Sequence, residues 1–367
     1  MRTLILLGLM AFSAAAAAQD PFQDAFTAYQ EAFQHGDRYR ALDLAEQLYA
    51  LSRDRSEAVQ GAMAYNLGIM YSTTGQPAKA AKPLQEAATR FEAMGAAAAV
   101  QAADAYWYLG QAHDRLDEQS KRLKALRQAE KLIERHAPDE RAKLAEIGLD
   151  VAQAQFARGR HQRALSKIKD VRGAYAEPLP KVLRIQAHYT AALAHLAQRE
   201  EEEALPLLEQ AMALFSKEEA QASVFASRIA MHLAYARLAQ HRARPGQDEP
   251  LGDLLWQGIP DTAITDSCAC DHLDDGAVKP LDKAPPRYPD AMARASIEGM
   301  VLVEYMVNEN GRTDNVRVVE AVPYSQEFID AAVRSAQQFV YAVPTQSGKP
   351  TTVSHVRNLF TFALADR

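Results

Sequence analysis

The chain has 367 residues, 48% of them hydrophobic and 24% charged, so it can bury more than one core and is not a wholly disordered chain. A net charge of −6 gives no overall basic footprint, which argues against nucleic acid as a partner, and two cysteines are too few for a disulfide-stapled scaffold. The first two-thirds are rich in alanine, which favours helices, and no apolar run after residue 18 is long enough to span a bilayer.

Residues 1–18 read as an export signal. Arg2 supplies the positive start, Leu4 to Phe12 the apolar run, and Ala16-Ala17-Ala18 before Gln19 a small-residue cleavage site. A retained anchor is the alternative, although the run from Thr3 to Ala18 is short for a span and half of it is small residues. The expected location is an export compartment, which in a Gram-negative cell is the periplasm.

Residues 19–245 carry an internal repeat. Leu67-Gly68-x-x-Tyr71 followed by Gly75, Ala80, Leu84 and Ala87 fits one tetratricopeptide unit, two antiparallel helices with small residues at their closest approach. Tyr29, Ala41, Ala45 and Leu48 suggest a unit before it. Leu109-Gly110 with Arg122, then Ala152, Gly159, Ala164 and Ile168, then Ala192, Ala204, Leu208 and Ala211 suggest three after it. Equivalent positions 41, 80, 122, 164 and 204 are separated by 39, 42, 42 and 40 residues, an interval that unrelated alanine-rich helices would not keep. Arg122 occupies a small-residue position, which marks that unit as degenerate. A last helix over Gln221 to Gln240 is predicted to cap the stack, and the repeats are predicted to curl into an α-solenoid with a concave binding surface. Tyr65, Tyr106, Trp107, Tyr108 and Tyr189 read as interhelix packing before ligand contacts. His188 and His195 lie seven apart on one helix, too few to hold a metal.

Residues 246–279 concentrate the negative charge. They hold one basic and eight acidic side chains, whereas residues 19–245 hold 30 and 29 and residues 280–367 hold nine and ten. Like charge predicts an extended acidic linker. It contains both cysteines, in Cys268-Ala269-Cys270-Asp271-His272. A disulfide or redox pair, a zinc site drawing on Cys268, Cys270 and His272, and an inert or intermolecular pair are the readings this spacing leaves open.

The pattern then changes to short elements. Tyr288-Pro289 opens a brief helix that places Ala291 and Ala295 on one face, and Gly299 closes it. Met300 to Val307 and Thr313 to Val319 read as strands around an Asn308-Glu309-Asn310-Gly311 turn. Ser325 caps a helix whose apolar face is Phe328, Ala332, Ala336 and Phe339, and Pro344 stops it. Val356, Phe360, Phe362 and Leu364 alternate along a final strand.

These residues resemble the TonB C-terminal domain family. The resemblance rests on Pro286-Arg287-Tyr288-Pro289, Ile297-Glu298-Gly299, Val301/Val303/Val307, Asn310-Gly311 and Val316-Arg317-Val318-Val319. It continues through Phe339-Val340-Tyr341, Pro344, Gly348-Lys349-Pro350 and Phe362-Ala363-Leu364, with Phe339 where the family commonly has tryptophan. It covers residues 280–364 of a domain expected over 280–367, and implies two helices on a three-stranded antiparallel sheet, making the whole chain α+β and multidomain. It further implies a domain that binds the N-terminal segment of an outer-membrane receptor as an added strand, through main-chain bonds with little sequence demand. By resemblance the contact involves Pro286, Tyr288 and Pro289 and the edge strand carrying Val353, Val356, Phe360 and Phe362, unless Pro286 to Pro289 only anchors the start of the domain.

The expected function is that of a periplasmic protein that binds envelope proteins through its repeats and its TonB-like domain. The alternative is an energy transducer that couples an inner-membrane proton motor to outer-membrane receptors through a retained N-terminal anchor. No G-x-S-x-G, P-loop or H-E-x-x-H pattern occurs, so neither an enzyme, a cofactor nor a small-molecule substrate is expected. An exposed sheet edge would also invite pairing with a second copy of the chain.

Overall fold

The computed structural model describes residues 20–174, 179–243, 251–260, 263–268, 270 and 272–364. The expected signal, residues 1–18, lies outside them. The chain divides into two compact units, Met1–Leu183 and Arg184–Arg367.

Among its described residues the N-terminal unit has four antiparallel helix pairs: α1 (Pro21–Gln34) with α2 (Arg38–Leu51), α3 (Glu57–Thr73) with α4 (Pro77–Ala93), α5 (Ala99–Arg115) with α6 (Gln119–His136), and α7 (Arg141–Ala157) with α8 (His161–Gly173). Positions 41, 80, 122 and 164 are each the fourth residue of the second helix of a pair. Ala41, Ala80 and Ala164 are fully buried there. The close approach is real: a Cβ on Gly68 would collide with Leu84, and one on Gly110 would stand 3.0 Å from Leu126 Cδ2. Arg122 fits the same position because its buried guanidinium donates to Asp114 Oδ1 at 2.7 Å. Each pair turns through a left-handed residue five positions earlier: Gly36, Gly75, Asp117 and Gly159, at φ of 75°, 76°, 56° and 69°. That conformation suits glycine and is tolerated by aspartate.

The C-terminal unit takes in most of α9 (Lys181–Leu196), α10 (Glu201–Met212), α11 (Lys217–Ala222), α12 (Val224–Ala243) and α13 (Leu251–Trp256). Ala204 is again the fourth residue of its helix, preceded by Arg199 at φ 60°. The helix predicted over Gln221 to Gln240 is two helices. Ser216 and Glu219 form a reciprocal capping box that starts α11, and the chain is extended at Ser223 before α12 begins.

A four-stranded antiparallel sheet follows, in the order β1 (Thr265–Ser267), β8 (Val353–Phe362), β3 (Gly299–Val307), β4 (Thr313–Val322). Gly299 therefore begins a strand, and the short helix α14 (Asp290–Arg294) has already ended. The remaining elements are α15 (Gln326–Ala336) and the short strands β2 (Pro280–Asp282) with β5 (Val340–Tyr341) and β6 (Thr345–Gln346) with β7 (Lys349–Pro350). Phe339 lies beyond the end of α15 and is buried, so it joins the core from the connection to β5.

Both faces of the sheet are covered. Val301, Val303, Tyr305 and Val307 share a core with Phe328, Ala332 and Ala336 of α15. Met300 and Leu302, one residue out of phase, share a core with Ile185, Tyr189, Ala204, Ile229 and Leu233 of the helices. Polar ties reinforce that second layer. Arg228 pairs with Glu320 of β4, whose Oε1 is 3.6 Å from His232 Nε2. Arg242 pairs with Glu298 at 2.8 Å and donates to the Leu364 carbonyl at 2.7 Å, while the Leu364 N–H returns to Glu298 at 2.7 Å.

Three expectations change. The helices after residue 183 belong with the sheet, so the boundary expected at 245 is not the boundary between compact units. Residues 246–279 are not an extended linker where they are described: Leu255, Ile259, Ala263, Ile264, Leu273 and Val278 are buried. Apolar residues spaced among the acids outweigh the like-charge repulsion. The sheet has four strands because that same segment supplies β1.

Candidate functional site

The expected contact residues fall in two places. Tyr288 packs edge-on against Phe328 and Phe362, each with ring centroids 5.8 Å away, and donates to the Ile297 carbonyl at 2.7 Å. Burial raises its phenol above the ordinary value. Pro289 is the N-cap of α14, where its fixed φ of −67° suits the helix start, and Pro286 is half-buried. Tyr288 thus ties this segment to the core of the domain.

Val353, Val356, Phe360 and Phe362 are buried in the core shared with α15. Their side chains face inward, so the main-chain edge of β8 is what the strand can offer a partner. One edge of β8 pairs with β3 from Gly299↔Phe362 to Val307↔Val353. The other pairs with β1 at Thr265↔Asn358 and Ser267↔Arg357, and the Leu359 N–H donates to the Ile264 carbonyl at 2.8 Å. Among the described residues, pairing along that outer edge is confined to this stretch.

A polar cluster sits where β1 meets the core. The ladder is irregular between Thr265 and Ser267, and Asp266 has φ 49°, so a bulge turns its side chain inward. Asp266 Oδ1 accepts from Tyr341 Oη at 2.5 Å and pairs with Lys283 Nζ at 2.6 Å. Tyr305 Oη lies 2.6 Å from Tyr341 Oη. Lys283 also donates to Asn358 Oδ1 of β8 at 2.8 Å and stands 5.1 Å from the Phe339 ring centroid. Burial holds both phenols well above their usual range and lowers the lysine, which Asp266 partly restores. On the other face of the sheet, Glu304 accepts from Arg317 at 2.5 Å and lies 2.9 Å from His355 Nδ1. Burial raises its carboxyl, but those two partners outweigh it and the net shift is downward.

Cys268 and Cys270 are buried and joined as a disulfide, while His272 is exposed. Bonded sulfurs are not thiolates, so the zinc reading lacks its ligands here. No group of three or more His, Cys, Asp or Glu suited to a metal occurs among the described residues.

Sequence reasoning missed Asp266, Lys283, Tyr305 and Tyr341 as a group. One signal was available: Tyr305 alternates with Val301 and Val303 toward the core, where its hydroxyl requires a partner.

In the N-terminal unit the aromatic residues pack and bond between helices. Tyr65 meets Tyr108 edge-on at 5.8 Å, Trp107 donates to Asp150 at 2.6 Å, and Tyr106 donates to Glu92 at 2.7 Å. Burial, with Glu92 adding to it, pushes Tyr106 up to about 12. An open cavity of about 300 Å³ lies between α6, α7 and α8, lined by Glu130, Arg141 and Lys167 among others. In the C-terminal unit His195 lies 2.7 Å from Glu200, an ordinary helix-end pair.

The family model described as Gram-negative bacterial TonB protein C-terminal matches residues 284–364. The protein TonB of Pseudomonas aeruginosa is 30% identical over 127 residues, which is 34% of this chain and 34% of that protein. The chain thus spans about a third of that relative's length. Among solved structures, the apo quorum sensor NprR of B. thuringiensis aligns with a TM-score of 0.51 at 12% identity, covering 66% of this chain and 64% of that one. The nearly identical TPR-like repeats of a Podosopora anserina kinesin light chain align at 0.46 and 21% identity, covering 53% and 93%. At 12% identity the NprR alignment speaks to fold alone. Residues 284–364 are a TonB C-terminal domain, and the helical region before them resembles TPR-like repeat proteins in fold.

Proposed function

We propose that this chain is a cell-envelope binding protein with two separate contact surfaces. The N-terminal helix pairs hold one protein partner. The TonB C-terminal domain holds an extended segment of another, such as the N-terminal segment of an outer-membrane receptor, as a strand added to β8. The carrying observation is the outer edge of β8: a ten-residue strand whose pairing on that side is, among the described residues, limited to three-residue β1 and the Ile264 carbonyl before it. Unpaired main-chain groups on such an edge accept an incoming strand with little demand on its sequence. The inward-facing Val353, Val356, Phe360 and Phe362 keep the strand in place, while Tyr288 and Pro289 fix the start of the domain. The protein works by binding, without cofactor or chemistry of its own, and acts in the periplasm after export.

A second reading, direct coupling to a proton motor through a retained N-terminal segment, is favoured by the match to protein TonB. Intact mass of the native protein, with soluble and membrane fractions kept apart, separates the two. A soluble chain beginning at Gln19 sinks motor coupling, and a membrane-bound chain retaining Arg2 to Ala18 sinks the exported form. The binding claim is tested by titrating the full chain with synthetic peptides from the N-terminal segments of the host's outer-membrane receptors. The expected result is saturable binding with new amide protection along β8. Absence of binding at millimolar peptide would overturn it, and a concentration-dependent dimer protecting the same amides would assign the edge to a second copy.

A further inference from the structure

We propose that β1 is a resident occupant of the strand-addition edge, latched by Asp266, and that a partner strand must displace it to pair with the centre of β8. The inference rests on the strand-addition reading above.

Three residues of ladder are too few to hold a strand in water by themselves. What holds β1 is the side chain at its middle. Asp266 sits in a left-handed conformation within a bulge, so its carboxylate points away from the ladder and into the sheet's core side. There it joins Tyr341, Lys283 and Tyr305, and Lys283 carries the connection on to Asn358 of β8 itself. The segment is fastened on both sides of this latch: Ile264 is buried before it, and the disulfide-linked Cys268 and Cys270 are buried after it. A strand added over Arg357–Leu359 would compete directly for the Leu359 N–H, which Ile264 now occupies.

The latch is a single paired charge. A buried carboxylate is tolerated while its cation and hydroxyl partners surround it, and withdrawing it takes from Lys283, which stands among aromatic rings, the counter-charge of Asp266. The strap is therefore expected to be closed most of the time. The apparent affinity of a peptide for the edge is then reduced by the fraction of molecules in which the strap is open. Loosening the latch should tighten peptide binding, the reverse of what loss of a contact residue does.

The test compares the wild-type full chain with Asp266→Ala and with Tyr341→Phe, which keeps the ring in the core and removes only the hydroxyl. Hydrogen exchange at the Leu359 amide is followed without peptide, and affinity is measured for the same receptor N-terminal peptides. Asp266→Ala is expected to expose Leu359 and to bind at least about tenfold more tightly, with Tyr341→Phe giving a smaller change in the same direction. Equal affinity in all three chains, or a Leu359 amide as protected in both variants as in the wild type, overturns the proposal. If the variants expose Leu359 and no chain binds any peptide, the strand-addition reading is what has failed, and the strap's gating role falls with it. If wild type binds at full strength while Leu359 stays protected, strand addition survives at another edge and the strap proposal alone is lost.

Discussion

The two units place the same repeat chemistry in different surroundings. In the N-terminal unit the small positions Ala41, Ala80 and Ala164 let one helix of a pair approach the other, and the core is built from helices alone. In the C-terminal unit Ala204 holds the equivalent place, yet its core also takes in Met300 and Leu302 of a β-strand. A helical repeat has an apolar face that something must cover. Here α12, expected to close the stack as a cap, instead serves as one of two layers around a sheet. A repeat pattern therefore predicts helices well and their neighbours poorly, because the residue that fits a helix–helix gap also fits a helix–sheet gap.

That contrast can be broken by mutation, with the largest effect expected in the aromatic centre of the C-terminal unit. Phe328 is fully buried, stacked on Phe362 at 4.5 Å, and Phe328→Ala should cost about 3–5 kcal/mol. Chemical denaturation followed by residue-resolved exchange should show the loss in the sheet, with α3 and α4 unaffected. Leu302→Ala probes the other face and should cost about 2–5 kcal/mol. Its diagnostic feature is that α12 should lose protection together with β3, and a loss confined to the sheet would contradict the shared core. In the N-terminal unit Gly68→Ala drives a methyl into Leu84 and should cost about 1–3 kcal/mol, read as an earlier unfolding of α3 and α4 alone.

A smaller, pH-dependent term should belong to the C-terminal unit. His232 is buried beside Tyr189, and burial depresses its imidazole below the ordinary 6.5, with Glu320 opposing that shift. A depressed group contributes its stability in full above 6.5 and loses it as pH falls from there through the folded-state value, because the unfolded chain then binds the extra proton. The expected loss is at most about 1.4 kcal/mol per pH unit in that window. Denaturation midpoints of wild type and His232→Gln between neutral and mildly acidic pH should converge as pH falls, and parallel curves would refute the assignment.

Much of the fold is legible in particular residues. The turn residues Gly36, Gly75 and Gly159 and the buried Ala41, Ala80 and Ala164 keep one interval, because left-handed turns and close helix contacts each restrict the residue that fits. The long strands and α15 follow from Val301/Val303/Val307 and from Ser325 ahead of Phe328. What stayed hidden depends on contacts far along the chain. Net charge made residues 246–279 look extended, although Ile264, Leu273 and Val278 among the acids are what the core uses. The partners of Asp266 are Lys283, Tyr305 and Tyr341, spread over 75 residues, and no local pattern joins them. The candidate site was legible as a strand. Its edge was not, because the occupant of that edge comes from a segment whose composition reads as a linker.

Helix α12 and the sheet form one folded body that presents β8. Native-state hydrogen exchange of the full chain across a denaturant series tests it most directly. The slow amides of α12 are expected to open with those of β3 and β8, at one free energy and with one denaturant dependence. If α12 instead opened with α7 and α8 while the sheet remained closed, the claim would be contradicted.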